Sequence, residues 1–282
     1  MVISIRLKIK MMYDDFSPKE QIIANFILEN STTIAHCSIS DLSNQLGIAD
    51  STFFQFTKKL GFNGFKEFKL AMLREENDLA AISVHENITA EDTELAMAQK
   101  VFASNLSTLT DTQKLLNQEK LKTAAQMINQ SQRLYLFGIG GSEIVAADAY
   151  HKFLRSPIAV FHSSDFHIQL MEAALLNEND CVIVISHSGK SRETILIAKT
   201  AKEAHAKVIV VTSQATSPLA KLGDVVFISI SEETEFRSEA LASRIAQLSI
   251  MDCLYVILMF YNKKKAVTSI TKIRRVISQI KE

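Results

Sequence analysis

The chain has 282 residues, enough for one large or two ordinary domains. A hydrophobic share of 47% with 22% charged residues belongs to a globular protein and excludes a disordered chain. Lys and Arg number 31 and so do Asp and Glu, so the net charge of zero excludes a globally cationic nucleic-acid binder but not a local basic patch.

The opening MVISIRLKIKMM has too short an apolar stretch, broken by Arg6, Lys8 and Lys10, to read as a signal peptide. The longest apolar run, 248–261, is interrupted by Asp252 and is too short to span a bilayer. Cys37, Cys181 and Cys253 lie far apart without CxxC spacing, so neither zinc nor a disulfide framework is supported. A reduced cytoplasmic protein without metal, cofactor or membrane partner is expected.

Residues 1–76 hold short helical patterns and no strand-like run. SPKEQIIANFILEN places Ser17 at an N-cap, Pro18 at the first helical position and Glu20 three residues after the cap. Ile22, Ile23, Phe26 and Ile27 then form an apolar stripe. In SISDLSNQLGIADSTFFQFTKKLGF, Ser40 is the expected cap of a helix over 41–46 that Gly47 ends. Asp50 or Ser51 is the expected cap of a second helix reaching about residue 60. Two short helices joined by a tight turn form a helix-turn-helix, locked by Leu42, Leu46, Ile48, Phe53, Phe56 and Leu60. Ser51, Thr52, Gln55, Lys58 and Lys59 would then face outward, with Lys66 and Lys69 on the following helix. Between 51 and 74 five basic residues, Arg74 the last, face Glu67 alone, a local charge of +4 suited to phosphates. Gln55 or Thr52 would reach base edges. A plain helical bundle with a solvated basic face fits the same pattern less well.

The stretch 77–93 mixes acids, Asn and Thr without periodicity and reads as a linker. Helices are expected over 94–116 and 118–129, the second capped by Asn117. From 134 onward short apolar strands alternate with helices such as 142–154 and 193–204. The strands expected are 134–138, 158–161, 181–186, 207–212 and 225–229. Their near-continuous Val and Ile content predicts five parallel strands covered on both faces, a three-layer α/β domain over 94–282. A long helix over 239–261 and a basic helical tail, with Lys263 to Lys265 and Arg274 and Arg275, close the chain.

Two loops carry the chemistry. VISHSGKSRET ends like a Walker A motif, but the glycine that motif requires falls on Val184. LFGIGGSE fails the dinucleotide pattern because position 143 is Glu143. What remains is a matched pair, GIGGS (138–142) and SHSGKS (186–191), each leaving a strand and opening a helix. Glycines admit an anion to the backbone N–H groups, and the helix N-terminus adds a positive dipole end. Gly140, Gly189 and the hydroxyls of Ser142, Ser186, Ser188 and Ser191 are therefore candidate phosphate ligands. Simple serine-capped turns are the competing reading, weakened by the loops occurring twice. His162 and His167 are minor candidates for a sugar hydroxyl, and Lys190 for the phosphate charge.

FGIGGS, ISHSGKSRETI and TSPLAKLGD resemble the sugar-isomerase (SIS) domain, a phosphosugar-binding α/β unit. ISDLSNQLGIADSTFFQFTKKLGFNGFKEFK is similar to the helix-turn-helix of RpiR-type transcriptional regulators, which share this domain order. The resemblance implies that Ser186, Ser188 and Ser191 grip a phosphate with Ser142, and that Glu239 approaches the sugar from the first turn of a C-terminal helix. The chain departs from that family at Gln55, where an arginine is common, and at Phe53 and Phe54, where aliphatic residues are usual.

Two functions compete. One is a transcription factor whose sugar-phosphate effector modulates operator binding by a homodimer or homotetramer. The other is a phosphosugar isomerase or lyase with Glu239 as base. The helix-turn-helix favours the regulator, because an isomerase needs none.

Overall fold

The structure, a computed structural model, describes residues 5–30, 34, 37–79, 88, 91–230 and 241–280. The chain divides into two units, Met1–Glu86 and Asn87–Glu282.

The first unit contains helices α1 (Ile5–Met12), α2 (Pro18–Glu29), α3 (Ile39–Leu46), α4 (Asp50–Lys59) and α5 (Phe65–Leu79). Ser17 and Glu20 close a capping box on α2, with the Ser17 N–H donating to Glu20 Oε2 at 2.7 Å. Ser38, not Ser40, caps α3: its hydroxyl accepts from the Asp41 N–H and Asp41 bonds back to the Ser38 N–H. The competition goes to Ser38 because it has an acid at the third helical position, while the Ser40 hydroxyl donates to Asp50 Oδ2 at 2.8 Å. Neither Asp50 nor Ser51 caps α4, since Ala49 occupies the N-cap and makes no side-chain bond. Gly47 ends α3 at φ 65°, and the Ile48 N–H reaches back to the Ser43 carbonyl at 2.9 Å.

Leu42, Ile48, Phe53, Phe56 and Leu60 are buried as expected, and Leu46 packs against them half-buried. Phe53 sits edge-on to Phe65 with ring centroids 5.5 Å apart, and Phe56 meets Phe16 at 5.0 Å. The aromatic ring at 53 is thus absorbed by aromatic neighbours, each such pair contributing on the order of 1 kcal/mol beyond burial.

The second unit runs α6 (Glu94–Leu115), α7 (Gln118–Gln130), β1 (Arg133–Gly138), α8 (Gly141–Phe153), β2 (Ala159–His162), α9 (Phe166–Ala174), β3 (Asp180–Ile185), α10 (Arg192–Glu203), β4 (Lys207–Thr212), β5 (Val225–Ile228), α11 (Leu241–Tyr261) and α12 (Lys263–Ser278). Asn117 caps α7 as expected. Helix α9, missing from the expected elements, starts at Asp165, whose carboxylate accepts from the Ile168 N–H. Among the described residues the sheet has five parallel strands in the order β2-β1-β3-β4-β5. Observed strand ends lie within one residue of those expected.

Alternate residues explain the layers. Leu134, Leu136, Ile183, Ile185, Ile209 and Val211 pack against α8 and α11. Tyr135, Phe137, Val182, Val184, Val208 and Val210 face the other way, onto α9 and α10. A strand buried on both faces has no polar alternation to show. Arg133 and Asp180 fasten the start of β1 to β3 by a two-pronged ion pair, Nε to Oδ1 at 2.8 Å and Nη2 to Oδ2 at 2.6 Å.

Helix α11 matches the long helix expected over 239–261, but its stretch Ser243–Tyr261, which extends beyond the 248–261 apolar run judged too short to span a bilayer, is long and apolar enough to cross a membrane by length and composition. Ala246, Ile250, Met251, Leu254 and Leu258 are each at most 2% exposed in the core beneath the sheet. Burial against the sheet accounts for the apolar character of that face.

Candidate functional site

The strand order fixes where a ligand goes. The chain leaves β1 for β2 on one side and later enters β3 on the other, so the topological switch point lies between β1 and β3. Gly138 and Ile185, the last residues of those strands, are register partners. The two glycine loops therefore begin side by side at the carboxyl edge of the sheet.

In the first loop Gly140 adopts φ 59°, ψ −126°, a conformation closed to side chains, and is the N-cap of α8. A Cβ on Gly138 would sit 2.6 Å from the Ser142 carbonyl oxygen, so the loop packs against the first turn of α8 only because that position is glycine. Ser142 lies in that turn, 9% exposed. In the second loop the Ser186 N–H still reaches the Val211 carbonyl at 3.0 Å. The Ser188 hydroxyl accepts from the Lys190 N–H, and Gly189 turns at φ 62°. Ser191 caps α10, accepting from the Thr194 N–H while its own hydroxyl donates to Glu193 Oε2 at 2.7 Å. That bond, together with the carboxylate's hydrogen bond to its own backbone N–H, holds the Glu193 carboxyl below its usual range. Lys190 is exposed.

The loop after β4 buttresses the second glycine loop. The His187 carbonyl accepts from the Ser213 N–H at 2.8 Å and from Thr212 Oγ1 at 3.0 Å. The Gly189 carbonyl accepts from the Leu219 N–H, and Ser217 fills the space a side chain at 189 would need. Sequence reasoning assigned no role to Ser213 or Ser217, although the stretch TSPLAKLGD, which contains Ser217, lies in this loop.

At the other end of the site His162 closes β2. Its Nδ1 faces the Leu136 carbonyl at 3.0 Å and its Nε2 faces Glu143 Oε1 at 3.2 Å. The fully buried Gln169 amide donates to the Gly138 and Ser163 carbonyls, tying the first glycine loop to the exit of β2. Nothing in the sequence singled Gln169 out. Burial raises the Glu172 carboxyl, an effect that the positive field of His162 only partly offsets. His167 is exposed, its ring tilted against that of Phe166 with centroids 5.4 Å apart. Glu239 lies outside the described residues.

On the first unit, α4 presents Ser51, Gln55, Lys58 and Lys59 to solvent with Thr52 half-exposed, while Phe53, Phe56 and Thr57 face inward. Phe54 is partly exposed beneath the Lys58 ammonium. The lysines are not equivalent. Lys59 Nζ donates to the Asp15 carbonyl at 2.8 Å and to Glu20 Oε2 at 3.1 Å. Lys69 donates to the Cys37 carbonyl at 2.9 Å. Burial raises the Glu20 carboxyl, but bonds from the Ser17 N–H and Lys59 outweigh it and leave the group below its usual range. Lys58 and Lys66 are exposed, and the side chain of Arg74 lies outside the described residues.

Comparison with known proteins gives this arrangement its class. Residues 3–78 match the model of the helix-turn-helix domain of the rpiR family, and residues 127–257 match that of the SIS domain. A Thermotoga maritima protein described as an HTH-type transcriptional regulator is 33% identical over 97% of this chain and 98% of its own length. Among solved structures, the Vibrio vulnificus NanR protein complexed with ManNAc-6P aligns over 98% of this chain and 99% of its own, with TM-score 0.61 and 21% identity. The sugar isomerase domain of an RpiR transcription factor from Sphaerobacter thermophilus covers 64% of this chain and 98% of its own, with TM-score 0.59 and 18% identity. The chain belongs to the rpiR family of helix-turn-helix transcriptional regulators that carry a SIS domain. It is a DNA-binding transcriptional regulator.

Proposed function

We propose that the SIS domain of this regulator binds a sugar phosphate and that the bound ligand modulates operator binding, without turnover. The observation carrying this reading is the pair of glycine loops at the β1/β3 switch point, each with a glycine at positive φ and each opening a helix. The phosphate would lie against Gly140, Ser142, Ser186, Ser188, Gly189 and Ser191, with Glu239 reaching the sugar. The NanR protein, complexed with ManNAc-6P, supports the ligand class through shared fold. The head would span 1–76 and the linker 77–93, although α5 continues through Leu79 into the first residues of that linker. Ser51, Thr52, Gln55, Lys58, Lys59, Lys66 and Lys69 would face the operator, with Lys58 and Lys66 best placed for phosphates and Lys59 and Lys69 partly committed to the head itself.

Assembly into a homodimer or larger form is part of the proposal. Helix α6 buries Ser104, Thr108 and Thr112 and turns Leu95, Phe102 and Leu106 outward, each more than 60% exposed. An apolar stripe on the outer face suits a second copy of the chain.

The test is a thermal-shift screen of the full chain against sugar phosphates and the matching free sugars. A ligand at about 100 times its Kd stabilises the folded state by about 2.7 kcal/mol. One sugar phosphate should raise the midpoint, and the Ser188→Ala variant should lose that response. No response across a broad panel sinks the proposal.

A further inference from the structure

A chain of side-chain hydrogen bonds, half-buried at His187 and Ser213 and buried at Ser229 and Gln247, leaves the second glycine loop and crosses the carboxyl edge of the sheet. His187 Nδ1 lies 2.6 Å from Ser213 Oγ, Ser213 Oγ lies 3.3 Å from Ser229 Oγ, and Gln247 Nε2 of α11 reaches Ser229 Oγ at 3.5 Å. Ser229 and Gln247 are at most 2% exposed. One residue beyond Ser229, the Ile230 N–H donates to Thr112 Oγ1 of α6 at 3.0 Å. Thr112 is itself buried, 118 residues distant in sequence from Ile230.

We propose that this chain carries occupancy of the phosphate loop to α6, the first helix after the segment that joins the two units. The inference rests on the sugar-phosphate reading above and adds a route by which the ligand is felt outside its site. Each hydroxyl has one proton, so the chain has two self-consistent polarities. In one, Gln247 donates to Ser229, Ser229 to Ser213 and Ser213 to His187 Nδ1. In the other, His187 Nδ1–H donates to Ser213, Ser213 to Ser229, and Ser229 to the Gln247 carbonyl oxygen after the amide turns over. Ser229 and Gln247 are buried and cannot exchange a lost partner for water, so a reversal at Ser213 is passed on to both.

The imidazole is the end that the ligand touches. His187 stands between Ser186 and Ser188, and its carbonyl is already pinned by Thr212 and Ser213. A phosphate drawing the Ser186–Ser191 loop onto itself pulls that carbonyl and biases the ring tautomer. The far end is Ser229, which is also held through its N–H to the Thr212 carbonyl at 2.9 Å. Displacing Ser229 displaces the Ile230 N–H and the bond it makes to α6. A two-state hydrogen-bond chain biased from one end meets the physical requirement for coupling between sites.

Hydrogen exchange on the full chain, read peptide by peptide, tests this with N-acetylmannosamine 6-phosphate, glucose 6-phosphate and inorganic phosphate as probes. In the native protein a bound probe should slow exchange at 138–145 and 186–194 and change exchange in α6 about fivefold or more. Ser213→Ala should keep the loop protection and lose the α6 response, and Ser213→Thr should restore it. Thr112→Val, nearly isosteric but without an acceptor, should also lose it. Combining Ser213→Ala with Thr112→Val should add nothing further, as expected for two members of one path. An α6 response that survives Ser213→Ala, or loops that respond while α6 does not, overturns the coupling. Loops that respond to no probe overturn the sugar-phosphate reading, and the coupling falls with it.

Discussion

Replacing Gly189 by alanine adds one carbon for which the second glycine loop has no room. A Cβ at that position would lie 2.2 Å from Ser217 Oγ, 2.7 Å from Ser217 Cβ and 2.9 Å from Thr212 Oγ1. Ser217 does not swing aside freely, because it is 3% exposed and its hydroxyl accepts from the Ala220 N–H at 3.2 Å. The backbone at φ 62° adds a left-handed penalty of about 1 kcal/mol for an L-residue. Overpacking adds about 1–3 kcal/mol, so Gly189→Ala should cost about 2–4 kcal/mol. Urea denaturation followed by far-UV circular dichroism measures the loss. The double variant Gly189→Ala, Ser217→Gly removes the closest contacts and should recover about half of it, leaving the backbone strain and the Thr212 contact. A single variant within about 0.5 kcal/mol of the native protein, or a double variant that recovers nothing, refutes this account of the loop.

Arg133→Ala strands the Asp180 carboxylate, whose side chain is fully buried, and should cost about 3 kcal/mol in the same denaturation experiment, the lower end because Arg133 is one-third exposed. Glu172→Gln should stabilise the protein at neutral pH. Burial raises the Glu172 carboxyl above its ordinary 4.5, so the fold loses stability as pH rises from that value through the raised one. Melting temperatures of native and variant should therefore converge near pH 4 and separate above it, and a constant gap would argue against the burial effect. Lys58→Ala should weaken DNA binding uniformly across sequences and lower the magnitude of the salt slope by about 1. Lys59→Ala should in addition lower the melting temperature of the head, since its ammonium holds Glu20 and the Asp15 carbonyl.

Much of this architecture is written locally. The Val and Ile runs gave the strands to within a residue, because a strand covered on both faces must be apolar throughout. The Ser17 capping box was legible because cap and partner lie three residues apart. Ser38 and Ser40 were confused because both precede a helix-ready stretch, and only the reciprocal Asp41 bond separates them. The lysines show the limit of local reading. Nothing adjacent to Lys59 or Lys69 announces that Asp15, Glu20 and Cys37 will claim their ammonium groups. Likewise Ser213, Ser229 and Gln247 come from a strand exit, a second strand exit and a helix, and only the sheet brings them together. The glycine loops were found because strand, loop chemistry and helix start occur within one short stretch.

The pairing of β1 with β3 also sets the order in which the protein is made. Arg133 meets Asp180 across 47 residues, so the centre of the sheet cannot close until β3 has left the ribosome. The helical head needs only contacts within the first 86 residues. Helices with local contacts fold faster than parallel sheets. The helical head can thus fold while the second unit is still being synthesised, and the sheet that carries the glycine loops closes later.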